Sequence, residues 1–66
     1  MFGSRLREVR LEHGYTLKQV AEGLGVTLRA VCNYELGDRE PSFEILIKIC
    51  RFFDVSADYL LGLTDY

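Results

Sequence analysis

The fold is decided by residues 16–37, which read TLKQVAEGLGVTLRAVCNYELG. Thr16 is a good helix N-cap, and Gln19 three residues later completes a capping box. The apolar residues that follow share one helical face: Val20, Ala21 and Leu24. Gly25 ends the segment, because glycine takes a positive φ at low cost. The stretch therefore predicts a short helix over residues 17–24 and a tight turn directly after it.

A second helix follows the turn. Thr27 is its N-cap, and Gly37 ends it after residues 28–35. Its inward face is predicted to carry Val31, Tyr34 and Glu35. Two helices joined by about three residues must cross steeply. Ala21 has to be small for that crossing, and Val31 fills the gap between the helices.

Three further helices are predicted around this pair, at about residues 2–13, 43–53 and 57–61. Apolar stripes at helical spacing mark the first two: Phe2, Leu6, Val9 and His13, then Phe43, Leu46, Ile49, Cys50 and Phe53. Ser42 and Ser56 are the expected N-caps of the last two helices. Five short helices leave no room for a sheet. The prediction is an all-α fold in which residues 1–66 form a single domain.

Composition excludes several classes of protein. The chain has 66 residues, 48% of them hydrophobic, and a net charge of −2, which fits one globular domain rather than a disordered segment. Neither a signal peptide nor an apolar run of membrane-spanning length is present. Cys32 and Cys50 lack metal-ligand spacing and are interpreted as reduced thiols. A cytoplasmic location is expected.

Charge is distributed unevenly along the chain. Residues 5–39 hold six basic and five acidic side chains, whereas residues 40–66 hold two basic and five acidic ones. A protein that is acidic overall can therefore present a locally basic face to phosphates. His13 is the single histidine, and no nucleophile–base pair accompanies it. The sequence predicts no enzyme, no metal site, no cofactor and no small-molecule ligand.

Four segments together resemble the phage-repressor/Cro-like (XRE-type) helix-turn-helix family: RLREVR, GYTLKQVAEGLGVT, VCNYELGDREPS and DVSADYLLG, in this order between about Ser4 and Gly62. The resemblance implies a compact, five-helix, lambda-repressor-like DNA-binding domain with a central helix-turn-helix. It also implies a bacterial or phage-encoded transcriptional regulator. Such a protein binds double-stranded DNA sequence-specifically, and a repressor would bind a palindromic operator as a homodimer.

The resemblance further implies roles for particular residues. Base contacts are expected from the outward side of the third helix: Thr27, Leu28, Arg29, Cys32 and Asn33. Arg29 suits guanine, Asn33 suits adenine and Leu28 suits a thymine methyl group. Phosphate contacts are expected from four residues: Thr16, Leu17, Lys18 and Arg39. Arg10 and Glu35 occupy the positions of a buried ion pair.

Some positions depart from the family pattern. Many members have glutamine where Leu17 stands, and basic or amide side chains where Leu36 and Asp38 stand, so weaker and more salt-sensitive DNA binding is expected. Arg29 and Asn33 are alternatively plain solvated surface. Leu28 is alternatively a protein contact. Cys32 is alternatively a redox sensor.

Apolar residues near the C-terminal end form a candidate homodimer interface: Phe52, Tyr59, Leu63 and, with them, Tyr66. The alternative is that they complete the core. Two rival functions remain open. One is an antitoxin-like module whose main role is to bind a protein partner, with DNA autoregulation secondary. The other is an interaction protein that has lost DNA binding.

Overall fold

The computed structural model describes residues 1–65, and Tyr66 lies outside them. Five α-helices and no strand are present in this part of the chain. They are α1 (Phe2–Glu12), α2 (Leu17–Leu24), α3 (Leu28–Leu36), α4 (Phe43–Phe53) and α5 (Ala57–Leu60). Compared with the predicted bounds, α1 and α5 end one residue earlier and α3 ends one residue later. No helix within residues 1–65 is long and apolar enough to cross a membrane.

Hydroxyl side chains begin four of the helices, as predicted. Thr16 Oγ1 accepts a hydrogen bond from the Gln19 N–H at 3.1 Å, and Gln19 Oε1 accepts one from the Thr16 N–H at 2.8 Å. This is the capping box expected for α2. Equivalent caps are made by Thr27, Ser42 and Ser56. Each such cap is worth about 1 kcal/mol, so the helix starts are set locally.

Left-handed glycines end the two central helices. Gly25 has φ +72° and Gly37 has φ +82°, a conformation in which an L side chain is strained. The turn between α2 and α3 is consequently only three residues long. This tight turn packs α3 against α2, with Val20, Ala21, Leu24 and Val31 in one core.

The core lies where α1, α2, α3 and α5 meet the second half of α4. Its members are at most 6% exposed: Leu6, Val9, Val20, Ala21, Leu24, Ala30, Val31, Tyr34, Ile49, Phe53 and Leu60. Val31 is fully buried, as predicted. The prediction for Phe43 is wrong, because this side chain is 86% exposed. Phe43 is the first residue of α4, where its side chain reaches only a shallow surface pocket beside Phe2, Leu46 and Leu61.

Behind α3, an ion pair joins it to α1. Arg10 Nε donates to Glu35 Oε2 at 2.7 Å, and Arg10 Nη2 donates to Glu35 Oε1 at 3.2 Å. Arg10 Nη1 also donates to the Tyr15 carbonyl at 3.1 Å. The two side chains are only 11% and 7% exposed. This bidentate pair fixes the orientation of α3 relative to α1.

Two glycines permit close approaches that the sequence did not reveal. A Cβ on Gly3 would collide with the carbonyl oxygens of Tyr34 and Glu35, so α1 passes directly against the last turn of α3. A Cβ on Gly23 would collide with the Phe52 ring. That ring in turn packs against the Phe53 ring, with centroids 4.9 Å apart.

We expect Gly23→Ala to destabilise the protein, although alanine favours a helix by about 1 kcal/mol. The reason is that overpacking costs about 1–3 kcal/mol, and the Phe52 ring is held by its aromatic neighbours. Urea unfolding followed by circular dichroism measures the change. In a Phe52→Leu background the same substitution should become neutral or stabilising. An equal effect in both backgrounds would contradict the packing argument.

Arg5 ties the C-terminal segment to α1. Its Nη1 donates to the carbonyl oxygen of Tyr59 at 2.8 Å and also to that of Thr64. Its guanidinium lies 4.6 Å from the centroid of the Tyr59 ring. An exposed Asp65 carboxylate lies 3.6 Å from Nη2. Arg5 therefore serves the fold, although by composition it counted toward the basic surplus.

Candidate nucleic-acid interface

The outward side of α3 forms one continuous surface. Leu28, Arg29, Cys32 and Asn33 line a shallow, open depression of about 340 Å³. Leu28 is 48% exposed, Arg29 is exposed, and Cys32 and Asn33 are half-buried. Four of the five residues predicted to contact bases are thus brought together. This outward side of α3 is called the reading face below.

Thr27 lies at the edge of the reading face and is exposed. Its Oγ1 accepts a hydrogen bond from the Ala30 N–H at 3.1 Å. A hydroxyl group also carries a proton of its own, which remains available to an external acceptor. Thr16 has the same arrangement at the start of α2. Each threonine can therefore cap its helix and donate to a phosphate at once.

The first turn of α2 offers backbone donors. Thr16 satisfies the Gln19 N–H, while the N–H groups of Leu17 and Lys18 have no partner within the helix. Lys18 is exposed, whereas the Leu17 side chain is half-buried and packs against the core. Leu17 can consequently meet DNA through its backbone only. Lys18 adds a positive charge at the positive end of the helix dipole.

Arginine side chains divide into structural and exposed groups. Arg5 and Arg10 are engaged in the internal contacts described above. Arg29 and Arg39 are exposed, and neither forms an ion pair within residues 1–65. Arg39 lies in the loop between α3 and α4, beside the exposed Asp38. Arg29 and Arg39 are therefore the arginines that remain available on the side predicted to meet DNA.

Comparison with known proteins places the chain in a family. A family model described as helix-turn-helix matches residues 6–60. The chain belongs to this family. It is 40% identical over 65 residues to YobD, an uncharacterized HTH-type transcriptional regulator of Bacillus subtilis, covering 98% of this chain and 58% of YobD. The chain spans about half the length of the curated relatives it matches.

Solved structures of helix-turn-helix proteins share the fold. The P22 c2 repressor, solved in complex with a synthetic operator, superposes with a TM-score of 0.87 at 27% identity, covering 91% of each chain. The N-terminal DNA-binding domain of SinR from Bacillus subtilis gives 0.84 at 35% identity, covering 92% of this chain and 90% of that one. The predicted lambda-repressor-like, five-helix architecture is confirmed.

The residues predicted to form a dimer interface do not share one environment. The Phe52 ring packs against Tyr15 and Phe53 inside this helix-turn-helix domain. Tyr59 lies under the Arg5 guanidinium. Leu63 is 74% exposed. Two of the three side chains therefore already have partners within the chain, and Tyr66, predicted with them, lies outside the described residues.

The cysteines also differ in their surroundings. Cys32 is half-buried on the reading face, and Cys50 packs against the core on α4. Burial raises the pKa of the Cys50 thiol above its ordinary value. That thiol consequently stays protonated near neutral pH, which makes it a poor nucleophile. Cys50 is thus a packing residue, as predicted.

Sequence reasoning missed the residues that position the reading face from behind. Gly3 sets how closely α1 approaches the end of α3, and Gly23 accommodates the Phe52 ring against α2. Neither is marked by a motif. The available signal was a glycine within each predicted helix, where alanine would be better by about 1 kcal/mol unless space forbids it.

Proposed function

We propose that this chain binds double-stranded DNA sequence-specifically and regulates transcription, with α3 lying in the major groove. The observation that carries the proposal is the reading face. Leu28, Arg29, Cys32 and Asn33 lie together on the exposed side of a helix, and the Arg10–Glu35 pair holds that helix from behind. The major groove, about 12 Å wide, admits an α-helix presented in this way.

The chemistry of the reading face suits base edges. Arg29 can donate two parallel hydrogen bonds to O6 and N7 of guanine, and Asn33 can pair with N6 and N7 of adenine. Arg29 and Asn33 lie four residues apart, about 6 Å along the helix axis, while base pairs rise by about 3.4 Å. The two side chains therefore suit neighbouring or next-but-one base pairs. Leu28 supplies an apolar contact for a thymine methyl group.

Phosphate contacts would orient the domain. The N–H groups of Leu17 and Lys18, the hydroxyl groups of Thr16 and Thr27, and the Arg39 side chain are the expected donors. The P22 c2 repressor supports this assignment, because a structure that superposes with a TM-score of 0.87 was solved with a synthetic operator. Few basic groups take part, so the affinity should be modest and log K should fall less steeply with log salt than for a strongly basic relative, contrary to the greater salt sensitivity expected from the sequence.

As a dimer, the protein would bind a palindromic operator with half-sites about 34–36 Å apart, one helical turn of DNA. Bound there, it would repress transcription by blocking polymerase. With this function the protein would act in the cytoplasm of a bacterium, as a bacterial or a phage-encoded regulator.

Selection from a random duplex library tests the function directly. The purified chain is incubated with the library at low salt, and the bound duplexes are sequenced. We expect enrichment of a half-site motif and, among the tightest binders, of two half-sites in inverted repeat. If the bound pool has the base composition of the input library, the proposed function is wrong.

A phosphate contact can be recognised by its salt dependence. We expect Lys18→Gln to weaken binding to every duplex alike and to reduce the slope of log K against log salt by about one. Fluorescence anisotropy on a single half-site, over a salt series, measures this slope. Lys48→Gln on α4 is the matched control and should leave the slope unchanged. Equal slopes for wild type and Lys18→Gln would remove Lys18 from the interface.

A protein partner is the second candidate function. Leu36 is 73% exposed at the end of α3. Asp38, which follows in the loop, carries a negative charge at a position where a positive charge would attract a DNA phosphate. An antitoxin-like module would use this end of α3 for a protein and bind DNA only for autoregulation. Leu36→Arg with Asp38→Lys should then abolish partner binding while raising DNA affinity. A loss of DNA affinity in that variant would argue against the antitoxin-like alternative.

A further inference from the structure

The outer side of α4 carries an exposed apolar pair, Phe43 and Ile47, flanked by charged side chains. Its exposed side chains follow helical spacing: Phe43, Glu44, Ile47, Lys48 and Arg51. Phe43 is 86% exposed and Ile47 is 52% exposed. This set of five side chains is called the α4 face below. It lies beside the stripe that buries Ile49 and Phe53, with Phe43 at the boundary between the two.

Charge on the α4 face changes sign along the helix. Glu44 is in the first turn, Ile47 is near the middle, and Lys48 and Arg51 follow in the second half. None of these charged groups forms an ion pair within residues 1–65. A helix with this order of charges is complementary to a second copy of itself that runs in the opposite direction.

We infer that the α4 face binds a second copy of this chain, with the two α4 helices antiparallel about a twofold axis at Ile47. Ile47 then meets its own symmetry mate. With a rise of 1.5 Å per residue, Glu44 lies within about 1.5 Å along the axis of Arg51 in the other copy, and within about 3 Å of Lys48. Packed helices are 8–10 Å apart, a separation that long side chains span.

The antiparallel arrangement is favoured over the parallel one. In parallel register, Glu44 would face Glu44, and Lys48 would face Lys48, with like charges opposed along the interface. In the twofold arrangement, Glu44 of each copy lies near Lys48 and Arg51 of the other copy. The same contact is therefore made twice, as an isologous interface requires. Phe43, which the core leaves exposed, gains a cationic neighbour in Arg51 of the other copy. A guanidinium group near an aromatic ring makes a favourable cation–π contact.

This assignment rests on the proposed function, in which the protein binds DNA as a dimer. It puts the dimer interface on the α4 face instead of the surface predicted from the sequence. Phe52 and Tyr59 already pack within the chain. Phe43 and Ile47, in contrast, keep 86% and 52% of their surface exposed within this chain.

Self-association of the purified chain without DNA tests the inference, with sedimentation equilibrium as the measurement. We expect Ile47→Glu, which opposes two carboxylates at the twofold axis, to raise the dimer dissociation constant at least about thirtyfold. Leu11→Glu is the matched control, because Leu11 is 53% exposed and lies on α1. That variant should dimerise like the wild type. Circular dichroism verifies that both variants are folded.

Charge exchange tests whether the charged groups of the α4 face take part in the interface. Glu44→Lys alone, and Lys48→Glu with Arg51→Glu, should each lose self-association, whereas a mixture of the two variants should form heterodimers. A wild-type chain that stays monomeric, an Ile47→Glu variant that dimerises normally, or a mixture that fails to associate would overturn the assignment. Binding to a single half-site needs no dimer, so that measurement separates failure of this interface from failure of DNA recognition.

Discussion

Replacing Arg10 with methionine should lower the free energy of unfolding by about 3–5 kcal/mol. The Glu35 carboxylate is only 7% exposed and accepts two hydrogen bonds from the Arg10 guanidinium. Without the guanidinium, a buried charge has no compensating partner. A domain of 66 residues has a small reserve of stability, so much of the variant should be unfolded at ordinary temperature.

A second variant allows this prediction to be tested even when the first variant does not fold. Arg10→Met combined with Glu35→Leu removes both charges and should recover most of the lost stability, because apolar replacement of a whole buried pair is often neutral. Urea unfolding followed by far-ultraviolet circular dichroism gives the midpoints of all three proteins. Equal midpoints for wild type and Arg10→Met would mean that the pair does not hold α3.

DNA recognition should depend most strongly on Arg29 and Asn33. Each good bidentate contact discriminates against the wrong base by about 1–3 kcal/mol. Arg29→Ala and Asn33→Ala should therefore each weaken binding to the selected half-site by about 5- to 150-fold. Binding to unrelated DNA should change much less, since it depends on phosphate contacts. Competition between the half-site and a scrambled duplex, at one salt concentration, measures both effects.

Arg29→Lys is the control that separates geometry from charge. Lysine keeps the positive charge but lacks the planar fork of two donors. Its affinity for scrambled DNA should match that of the wild type, while its preference for the half-site should fall. If Arg29→Lys retains the full preference, Arg29 acts as a phosphate contact rather than a base contact.

Local chemistry made most of the fold predictable. The starts of α2 and α3 depend on side chains three residues away from the backbone groups that they cap, as with Thr16 and Gln19. The turn at Gly25 depends on one left-handed residue. Such features are written in short stretches of sequence. The inward face of α3 was predictable too, because Val31 and Tyr34 follow the helical period.

Contacts between distant segments were not predictable in the same way. Gly3 is small because the carbonyl oxygens of Tyr34 and Glu35 lie against it, and no local pattern encodes that approach. Phe43 continues the apolar stripe of α4, yet its side chain is exposed because it reaches only a shallow surface pocket beside Phe2 and Leu61. In the sequence Arg5 resembles a surface cation, but in the structure the C-terminal segment packs over it and its guanidinium donates to the Tyr59 carbonyl oxygen.

On the reading face, too, some features follow from the local sequence pattern and others do not. Helical spacing was enough to bring Leu28, Arg29, Cys32 and Asn33 to one side of α3. The resemblance to phage repressors, rather than the spacing, supplied their chemical role. The resemblance also separated Arg10, as part of a buried pair, from Arg29 on the surface, and Arg10 does form that pair with Glu35. The dimer surface required knowledge of which aromatic residues the core already uses.

A double-mutant cycle between protein and DNA tests the central claim most directly. One guanine of the selected half-site is replaced by 7-deazaguanine, which lacks the N7 acceptor in the major groove, and its effect on affinity is measured with wild type and with Arg29→Ala. We predict that at one guanine position the base change weakens the wild type and leaves Arg29→Ala unaffected. If the base change weakens both proteins equally at every guanine, Arg29 does not read the major groove and the account is contradicted.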